Sequence, residues 1–92
     1  MQAHPTAIIS KKAELEANVT VGPFSIIGDG VRIGPRSKVG GHCLIEGNTI
    51  IGKGCEIFTG AVIGSRPQDL KYEGAKVFLQ IGDNNIIRIL HL

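Results

Sequence analysis

Polar residues that could bind a ligand are concentrated in one short segment, residues 65–76, which reads SRPQDLKYEGAK. It carries an amide, a carboxylate, an ammonium group and a phenol close together, at Gln68, Asp69, Lys71 and Tyr72. The segment interrupts an otherwise regular chain, and binding residues are often found on such excursions from a rigid scaffold. A solvated surface loop is an equally good interpretation. The segment therefore predicts a candidate binding site but, by itself, no reaction.

Histidine and cysteine side chains could instead hold a metal ion, and the chain has three histidines, His4, His42 and His91. They fall at different positions of the repeat described below, so we predict no metal site. We expect His42 on the surface at a turn and His4 in the first coil. The two cysteines, Cys43 and Cys55, both occupy a small-residue position of the repeat. We interpret them as buried free thiols rather than as a disulfide or a catalytic pair.

A six-residue repeat runs through most of the chain and must position these side chains. Every sixth residue from Ile9 to Ile63 is Ile, Leu or Val, and we call these residues the anchors. The next position is often glycine, and the position four after the anchor is small or β-branched. The anchors are Ile9, Leu15, Val21, Ile27, Ile33, Val39, Ile45, Ile51, Ile57 and Ile63.

The period of six excludes a helix and favours short strands separated by tight turns. It matches neither one nor two turns of 3.6 residues, and each interior glycine would cost a helix about 1 kcal/mol. We expect the anchors to point inward, the small residues to pack near corners, and glycine to supply the turns. Hexapeptide periodicity is typical of a parallel β-helix, which makes the chain an all-β protein.

The repeat is interrupted after Ile63 and returns at Ile81 and Ile87. The step from Ile63 to Ile81 is a multiple of six, so the position of the anchors is preserved across the interruption. Residues 65–76 could then form one irregular coil or an external loop between adjacent faces. The spacing alone leaves both alternatives open.

Length and charge define the class of protein further. The 92 residues are enough for a single domain, which we assign to residues 1–92. The net charge of +2 does not indicate a nucleic-acid-binding surface, and no apolar run is long enough to insert into a membrane. The first residues, MQAHPTAIIS, lack the pattern of a signal peptide, so we expect a cytoplasmic protein.

Four segments resemble the UDP-N-acetylglucosamine acyltransferases of lipid A biosynthesis. They are HPTAIIS at 4–10, VGPFSIIGDGVRIG at 21–34, IGSRPQDLKYEG at 63–74 and QIGDNNIIR at 80–88. The resemblance implies a left-handed β-helix with triangular coils, each built from three hexapeptide units. Complete coils would span 9–26, 27–44 and 45–62, a loop would span 65–76, and the coil would resume over 81–92. About five coils with one loop excursion are expected.

The same resemblance implies an activity. The family moves a 3-hydroxyacyl group from acyl carrier protein to the 3-hydroxyl of UDP-N-acetylglucosamine, without a cofactor and as a homotrimer. By similarity, Asp69 would contact the glucosamine, Gln68 would lie by the acyl or sugar groups, and Lys71 would approach the anionic part of the substrate. Tyr72 belongs to the same motif. The reaction needs a base, which a histidine can supply, but no catalytic residue can be assigned in this chain.

The resemblance covers residues 3–88, which correspond to the first part of a family member. Residues 89–92 depart from the family pattern. We therefore expect a truncated, weakly active or inactive fragment without the later coils, the catalytic histidine they carry and the C-terminal helical domain. The alternatives are a non-catalytic hexapeptide scaffold that assembles with itself or a partner, and another hexapeptide enzyme such as a carbonic anhydrase homologue.

Overall fold

A computed structural model describes residues 1–64 and 78–88, which form thirteen short strands joined by turns. Valine and isoleucine dominate these strands because β-branched side chains fit a pleated, half-buried surface. The strands are β1 (Gln2–Ala3), β2 (Ile8–Ile9), β3 (Glu14–Leu15), β4 (Thr20–Val21), β5 (Ile26–Ile27), β6 (Arg32–Ile33), β7 (Lys38–Val39), β8 (Leu44–Ile45), β9 (Asn48–Ile51), β10 (Glu56–Ile57), β11 (Val62–Ile63), β12 (Phe78–Ile81) and β13 (Ile86–Ile87).

Three parallel sheets wrap around a single core. Sheet 1 has the order β1-β4-β7-β10-β13, sheet 2 has the order β2-β5-β8-β11, and sheet 3 has the order β3-β6-β9-β12. Successive strands of the chain lie on successive sheets, so three strands complete one coil. Each strand therefore pairs with the strand one coil later, which confirms the parallel β-helix predicted from the repeat.

The anchors and the small residues fill the interior. Anchors from Val21 to Ile63 are at most 3% exposed, whereas Ile9 and Leu15 of the first coil are half-buried. The small-residue position is equally buried from Val19 to Ala61. Because both positions recur every six residues, each face of each coil sends one large and one small side chain inward. Together they form one continuous core cluster.

Serine hydroxyls connect neighbouring coils inside the corners. The hydroxyl of Ser37 donates to the carbonyl of Gly52 at 2.8 Å and accepts from the amide of Cys55 at 3.0 Å. Ser25 makes the equivalent pair of bonds, to the carbonyl of Gly40 and from the amide of Cys43. Backbone groups at a corner do not pair with a neighbouring strand, and the serine hydroxyls provide their hydrogen-bond partners. A polar side chain is therefore tolerated in the core.

The turns follow a different column of residues from the one we expected. The left-handed backbone conformation lies three residues after the anchor, at Asn18, Phe24, Arg36 and His42 among others. The glycine position directly after the anchor is left-handed only at Gly64. The expectation that this glycine column supplies the turns is therefore wrong at its other members. Several members of the column leave no room for a Cβ for another reason: at Gly34 it would lie 2.7 Å from the backbone of Gly52 in the next coil.

The pairing register changes once, between the third and fourth coils. In the earlier coils, paired residues are three repeat units apart in the sequence, as Arg32 and Ile50 are. In contrast, Phe78 pairs with Asn48 and Ile86 with Glu56, both at a step of five repeat units. Strand β12 is thus hydrogen-bonded directly to β9, and the additional residues fall between Ile63 and Phe78.

The predicted loop 65–76 lies outside the described residues, and its boundaries remain a prediction. No helix long and apolar enough to cross a membrane occurs within residues 1–64 and 78–88.

Candidate functional site

The four predicted binding residues, Gln68, Asp69, Lys71 and Tyr72, lie outside the described residues. The structure does describe the points at which the chain leaves the coil before them and rejoins it after them. The chain leaves sheet 2 after β11 and rejoins on sheet 3 with β12. The candidate site is therefore connected to one corner of the β-helix, between sheets 2 and 3.

Both connections are made to one turn, residues 46–49, which we call the base turn. The amide of Glu46 donates to the carbonyl of Ile63 at 3.0 Å, just before the chain leaves the coil. Phe78 pairs with Asn48, and Leu79 pairs with Thr49, where the chain rejoins. The described residues that flank 65–77, Ile63 on one side and Phe78 on the other, are thus both bonded to these four consecutive residues.

Two glycines with left-handed backbones face each other at this place. Gly47 has φ of 74° and Gly64 has φ of 76°. A Cβ added to Gly47 would lie 2.8 Å from the carbonyl oxygen of Gly64, which is closer than real Cβ contacts allow. The hydroxyl of Thr49 donates to the carbonyl of Glu46 at 2.8 Å and closes the base turn. The turn is consequently defined by backbone conformation, close packing and a hydrogen bond.

Sequence reasoning missed the base turn, although a signal was present. The anchor Ile45 is followed by Glu46 and then Gly47, so glycine comes one position later than in most other units. This shift coincides with the early start of β9, which begins at Asn48 and has four residues where most strands have two. A residue that departs from the repeat pattern can therefore indicate where an insertion contacts the β-helix.

Both described histidines lie on the surface, which was predicted for His42, whereas His4 was predicted only to lie in the first coil. The ring of His42 packs against Phe24 with 5.2 Å between the ring centroids, and its backbone is left-handed at a turn. His4 is exposed, and its Nδ1 lies 2.8 Å from the Thr6 hydroxyl oxygen. Among residues 1–64 and 78–88 no three His, Cys, Asp or Glu side chains are close enough to hold a metal ion. His91 lies outside the described part of the chain.

The cysteines are free and buried, which confirms their interpretation as small core residues. The thiol of Cys43 donates to the carbonyl of Phe58 at 3.2 Å, and that of Cys55 donates to the carbonyl of Gly82 at 3.0 Å. Each thiol thus contacts the next coil, much as the serine hydroxyls do. This arrangement supports a packing role for both side chains.

The outer surface of sheet 2 is apolar. The outward side chains of its four strands are Ile8, Ile26, Leu44 and Val62, and we call them the apolar stripe. Ile8 is 64% exposed and Ile26 is 43% exposed. The corresponding positions on sheet 1 are mostly polar, and sheet 3 begins with the exposed ion pair between Glu14 and Arg32. Contiguous exposed aliphatic side chains of this kind mark interaction surfaces.

Comparison with known proteins agrees with the repeat and with the fold. Residues 6–47 match the family model described as bacterial transferase hexapeptide (six repeats). The chain is 51% identical over 87 residues to an acyl-[acyl-carrier-protein]–UDP-N-acetylglucosamine O-acyltransferase of Psychrobacter sp. (strain PRwf-1), covering 95% of this chain and 34% of that protein. It is 64% identical over 85 residues to the protein of the same name from Sulfurovum sp. (strain NBC37-1), covering 92% of this chain and 33% of that protein.

Solved structures give the same result. The crystal structure of UDP-N-acetylglucosamine O-acyltransferase from Moraxella catarrhalis superposes with a TM-score of 0.87 at 44% identity, covering 97% of this chain and 35% of that one. A further crystal structure of a UDP-N-acetylglucosamine acyltransferase superposes with a TM-score of 0.89 at 45% identity, over 97% of this chain and 34% of the other. These structures are left-handed β-helices, which confirms the predicted hand.

The chain spans about a third of the length of these relatives. The match nevertheless extends beyond the general hexapeptide pattern, because it covers residues on both sides of the interruption and includes the interruption itself. By sequence and by fold, the chain carries hexapeptide repeats that form a left-handed β-helix, and it is similar over nearly its whole length to the UDP-N-acetylglucosamine acyltransferases.

Proposed function

We propose that this chain is part of an acyltransferase that moves a 3-hydroxyacyl group from acyl carrier protein to the 3-hydroxyl of UDP-N-acetylglucosamine in lipid A biosynthesis. The observation that carries the proposal is the identity of 51% and 64% to two relatives named for acyl carrier protein and UDP-N-acetylglucosamine. In the reaction, the sugar hydroxyl oxygen attacks the thioester carbonyl, its proton goes to a base, and the carrier thiol leaves. The new bond is an ester to the sugar.

Within this reaction we assign the chain to sugar binding. Asp69 would accept hydrogen bonds from the glucosamine, and Gln68 would lie beside the sugar or the acyl group. Lys71 would approach the diphosphate, whose charge an ammonium group can neutralise. Tyr72 would complete the same cluster. We assign no base and no oxyanion donor to this chain, and no cofactor is required by the proposed reaction.

The apolar stripe supports a homotrimer as the working assembly. Its side chains come from four successive coils and line up along the axis of the β-helix, because they share the outward position of sheet 2. Ile8 and Ile26, which are 64% and 43% exposed, would lose contact with water against a second copy, and each would contribute about half of the roughly 1.5–3 kcal/mol that full burial of such a side chain gives. We propose that three copies pack through this surface and that the protein works in the cytoplasm.

A binding experiment tests the proposed substrate. Calorimetric titration of the chain with UDP-N-acetylglucosamine should show binding, whereas UDP-glucose, which lacks the N-acetyl group, should bind more weakly. Asp69→Asn should weaken binding about tenfold or more, since it removes a charged hydrogen-bond acceptor. Glu14→Gln is the control, because it removes an exposed carboxylate of the first coil and should leave binding unchanged. Acyl transfer from hydroxyacyl carrier protein is then measured on the same samples.

The assembly is tested independently by sedimentation equilibrium. Ile26→Asp should dissociate the trimer, whereas Thr20→Asp, at the same outward position on sheet 1, should not. A chain that forms trimers without binding UDP-N-acetylglucosamine would contradict the acyltransferase proposal and favour the non-catalytic scaffold. A chain that stays monomeric at all concentrations would contradict the trimer.

A further inference from the structure

We propose that Phe24 anchors the association between copies of this chain: a second copy covers its ring, which is exposed at a strained corner of the β-helix. This inference rests on the proposed function, because it specifies a contact on which the proposed homotrimer depends. The residue lies beside the apolar stripe and is not one of its four members. Three observations carry the inference: the backbone conformation of Phe24, the exposure of its ring, and the absence of charge on the adjoining stripe.

The backbone of Phe24 adopts a conformation that its side chain disfavours. Its φ is 59°, in the left-handed region, where a bulky residue is a genuine outlier. At other corners the equivalent position holds polar residues such as Asn18, Arg36 and Asn84, or glycine. Among the left-handed residues that the structure describes, Phe24 is the one large apolar side chain. Strained residues of this kind are concentrated at functional sites, so this corner is a candidate for one.

The neighbouring coils hold this corner in place on both sides. The amide of Phe24 donates to the hydroxyl of Thr6 at 2.9 Å in the coil before. In the coil after, the amide of His42 donates to the carbonyl of Pro23 at 2.8 Å, and its ring lies 5.2 Å from that of Phe24. Phe24 nevertheless remains 58% exposed. The corner thus presents an aromatic ring on a fixed backbone, and such preorganisation lowers the cost of binding.

The surface beside Phe24 indicates a second copy of the chain as the partner. Phe24 lies at the corner between sheets 1 and 2, two residues before Ile26, so its exposed ring borders the apolar stripe. Neither Phe24 nor the stripe carries a charge, so an acidic or basic partner would find no complementary group there. Every copy carries this same apolar surface, and symmetric assembly can bury it between copies. Aromatic side chains are typical anchors of such interfaces.

Phe58 provides a contrast at the same corner of the β-helix. It lies between β10 of sheet 1 and β11 of sheet 2, and its backbone is not left-handed. The guanidinium carbon of Arg88 lies 4.9 Å from the centroid of its ring, so the ring already has a partner within its own chain. Its exposed fraction is 36%. Phe58 therefore lacks both features that distinguish Phe24, the strained backbone and the uncovered ring.

The test compares Phe24→Asn with Phe58→Asn by sedimentation equilibrium. Asparagine tolerates the left-handed backbone, as at Asn18 and Asn84, so Phe24→Asn removes the ring and relieves the strain. We expect the concentration at which half of the chains are trimeric to rise about tenfold or more, as for truncation of an interface anchor. Phe58→Asn should leave this concentration within about twofold of the wild-type value, because its ring is covered by Arg88.

Stability is measured separately, in the Ile26→Asp background, in which we expect the trimer to be dissociated. There Phe24→Asn should unfold at the same temperature as the background or above it, because the strained backbone is relieved. Phe58→Asn should unfold at a lower temperature, because its contact with Arg88 is lost. A fall for Phe24→Asn as large as that for Phe58→Asn would show that the ring of Phe24 stabilises its own chain, and would overturn the proposal.

The remaining outcomes separate this proposal from the homotrimer itself. If the wild-type chain stays monomeric at all concentrations, both the homotrimer and the anchoring role of Phe24 fail. If the wild type forms trimers and Phe24→Asn associates equally well, only the anchoring role fails, and something other than a second copy covers the ring. Equal weakening by Phe24→Asn and Phe58→Asn would also overturn it, since the exposed, strained ring would then have no special part in assembly.

Discussion

Replacing Gly34 with alanine would place a methyl group against the next coil of the β-helix. The added Cβ would lie 2.7 Å from the carbonyl carbon of Gly52 and 2.8 Å from the amide nitrogen of Lys53. Both are backbone atoms, so they cannot move aside as the end of a flexible side chain can. The amide of Gly34 also donates to the carbonyl of Ile51 at 2.8 Å, which keeps the two coils together at this corner.

The expected loss of stability follows from this contact. Relief of the overlap requires the coils to separate, and overpacking of this kind costs about 1–3 kcal/mol. Alanine also restricts the unfolded chain, which returns about 0.4–1 kcal/mol. The cost exceeds the gain over most of this range. In a domain of this size each 1 kcal/mol of net destabilisation lowers the melting temperature by about 4–8 °C.

The assay is thermal and urea unfolding followed by circular dichroism, with Gly28→Ala as the matched variant. Gly28 occupies the same column and also lacks a left-handed backbone, but its nearest contact would be the Cβ of Glu46 at 3.3 Å. We expect Gly28→Ala to unfold near the wild-type midpoint and Gly34→Ala to unfold well below it. Equal midpoints for the two variants would refute the conclusion that this glycine column exists for close approach between coils.

Three further predictions concern the core and the surface. Ser37→Ala should lower the free energy of unfolding by about 1–3 kcal/mol, because it leaves buried backbone groups unpaired; an unchanged urea midpoint would contradict this. Cys43 and Cys55 should react with a thiol reagent only on unfolding, so rapid labelling of the native protein would show that they are not buried as described. Glu14→Gln should change stability by less than about 1 kcal/mol, since its 3.4 Å ion pair with Arg32 is largely exposed, and high salt should have a similarly small effect.

The interior of the fold could be read from the sequence. The anchor and small-residue columns predicted which side chains point inward, and residues such as Ile33 and Val31 are fully buried. This was possible because burial in a β-helix recurs at a fixed step along the chain. The inward-facing positions can therefore be recognised from the sequence without knowing which strands pair.

The role of glycine could not be read in the same way. A glycine column is compatible with two needs, a left-handed backbone or the close approach of another segment. The first need depends on local backbone conformation, which Asn18, Arg36 and His42 meet without glycine. The second depends on atoms of the next coil, as at Gly34, and those atoms belong to Gly52 and Lys53, a whole coil later in the sequence.

The candidate site shows a similar division. The sequence predicted a binding segment with Gln68, Asp69 and Lys71, which lies outside the described residues, and the resemblance supplied the substrate they would bind. It did not identify the base turn at Gly47. The base turn is distinguished from other turns by its contacts with Gly64 and Phe78, which are later in the sequence and reach it only in the folded chain.

The sequence alone determined the period, the inward side chains, the parallel strands and the position of the interruption. The tertiary structure decided how the chain continues after that interruption. Paired residues could be separated by three or by five repeat units. Both separations are whole numbers of hexapeptides and keep the anchors inside, so burial of the anchors does not distinguish them. Only the hydrogen bonds between strands, which pair Phe78 with Asn48 and Ile86 with Glu56, select the longer step.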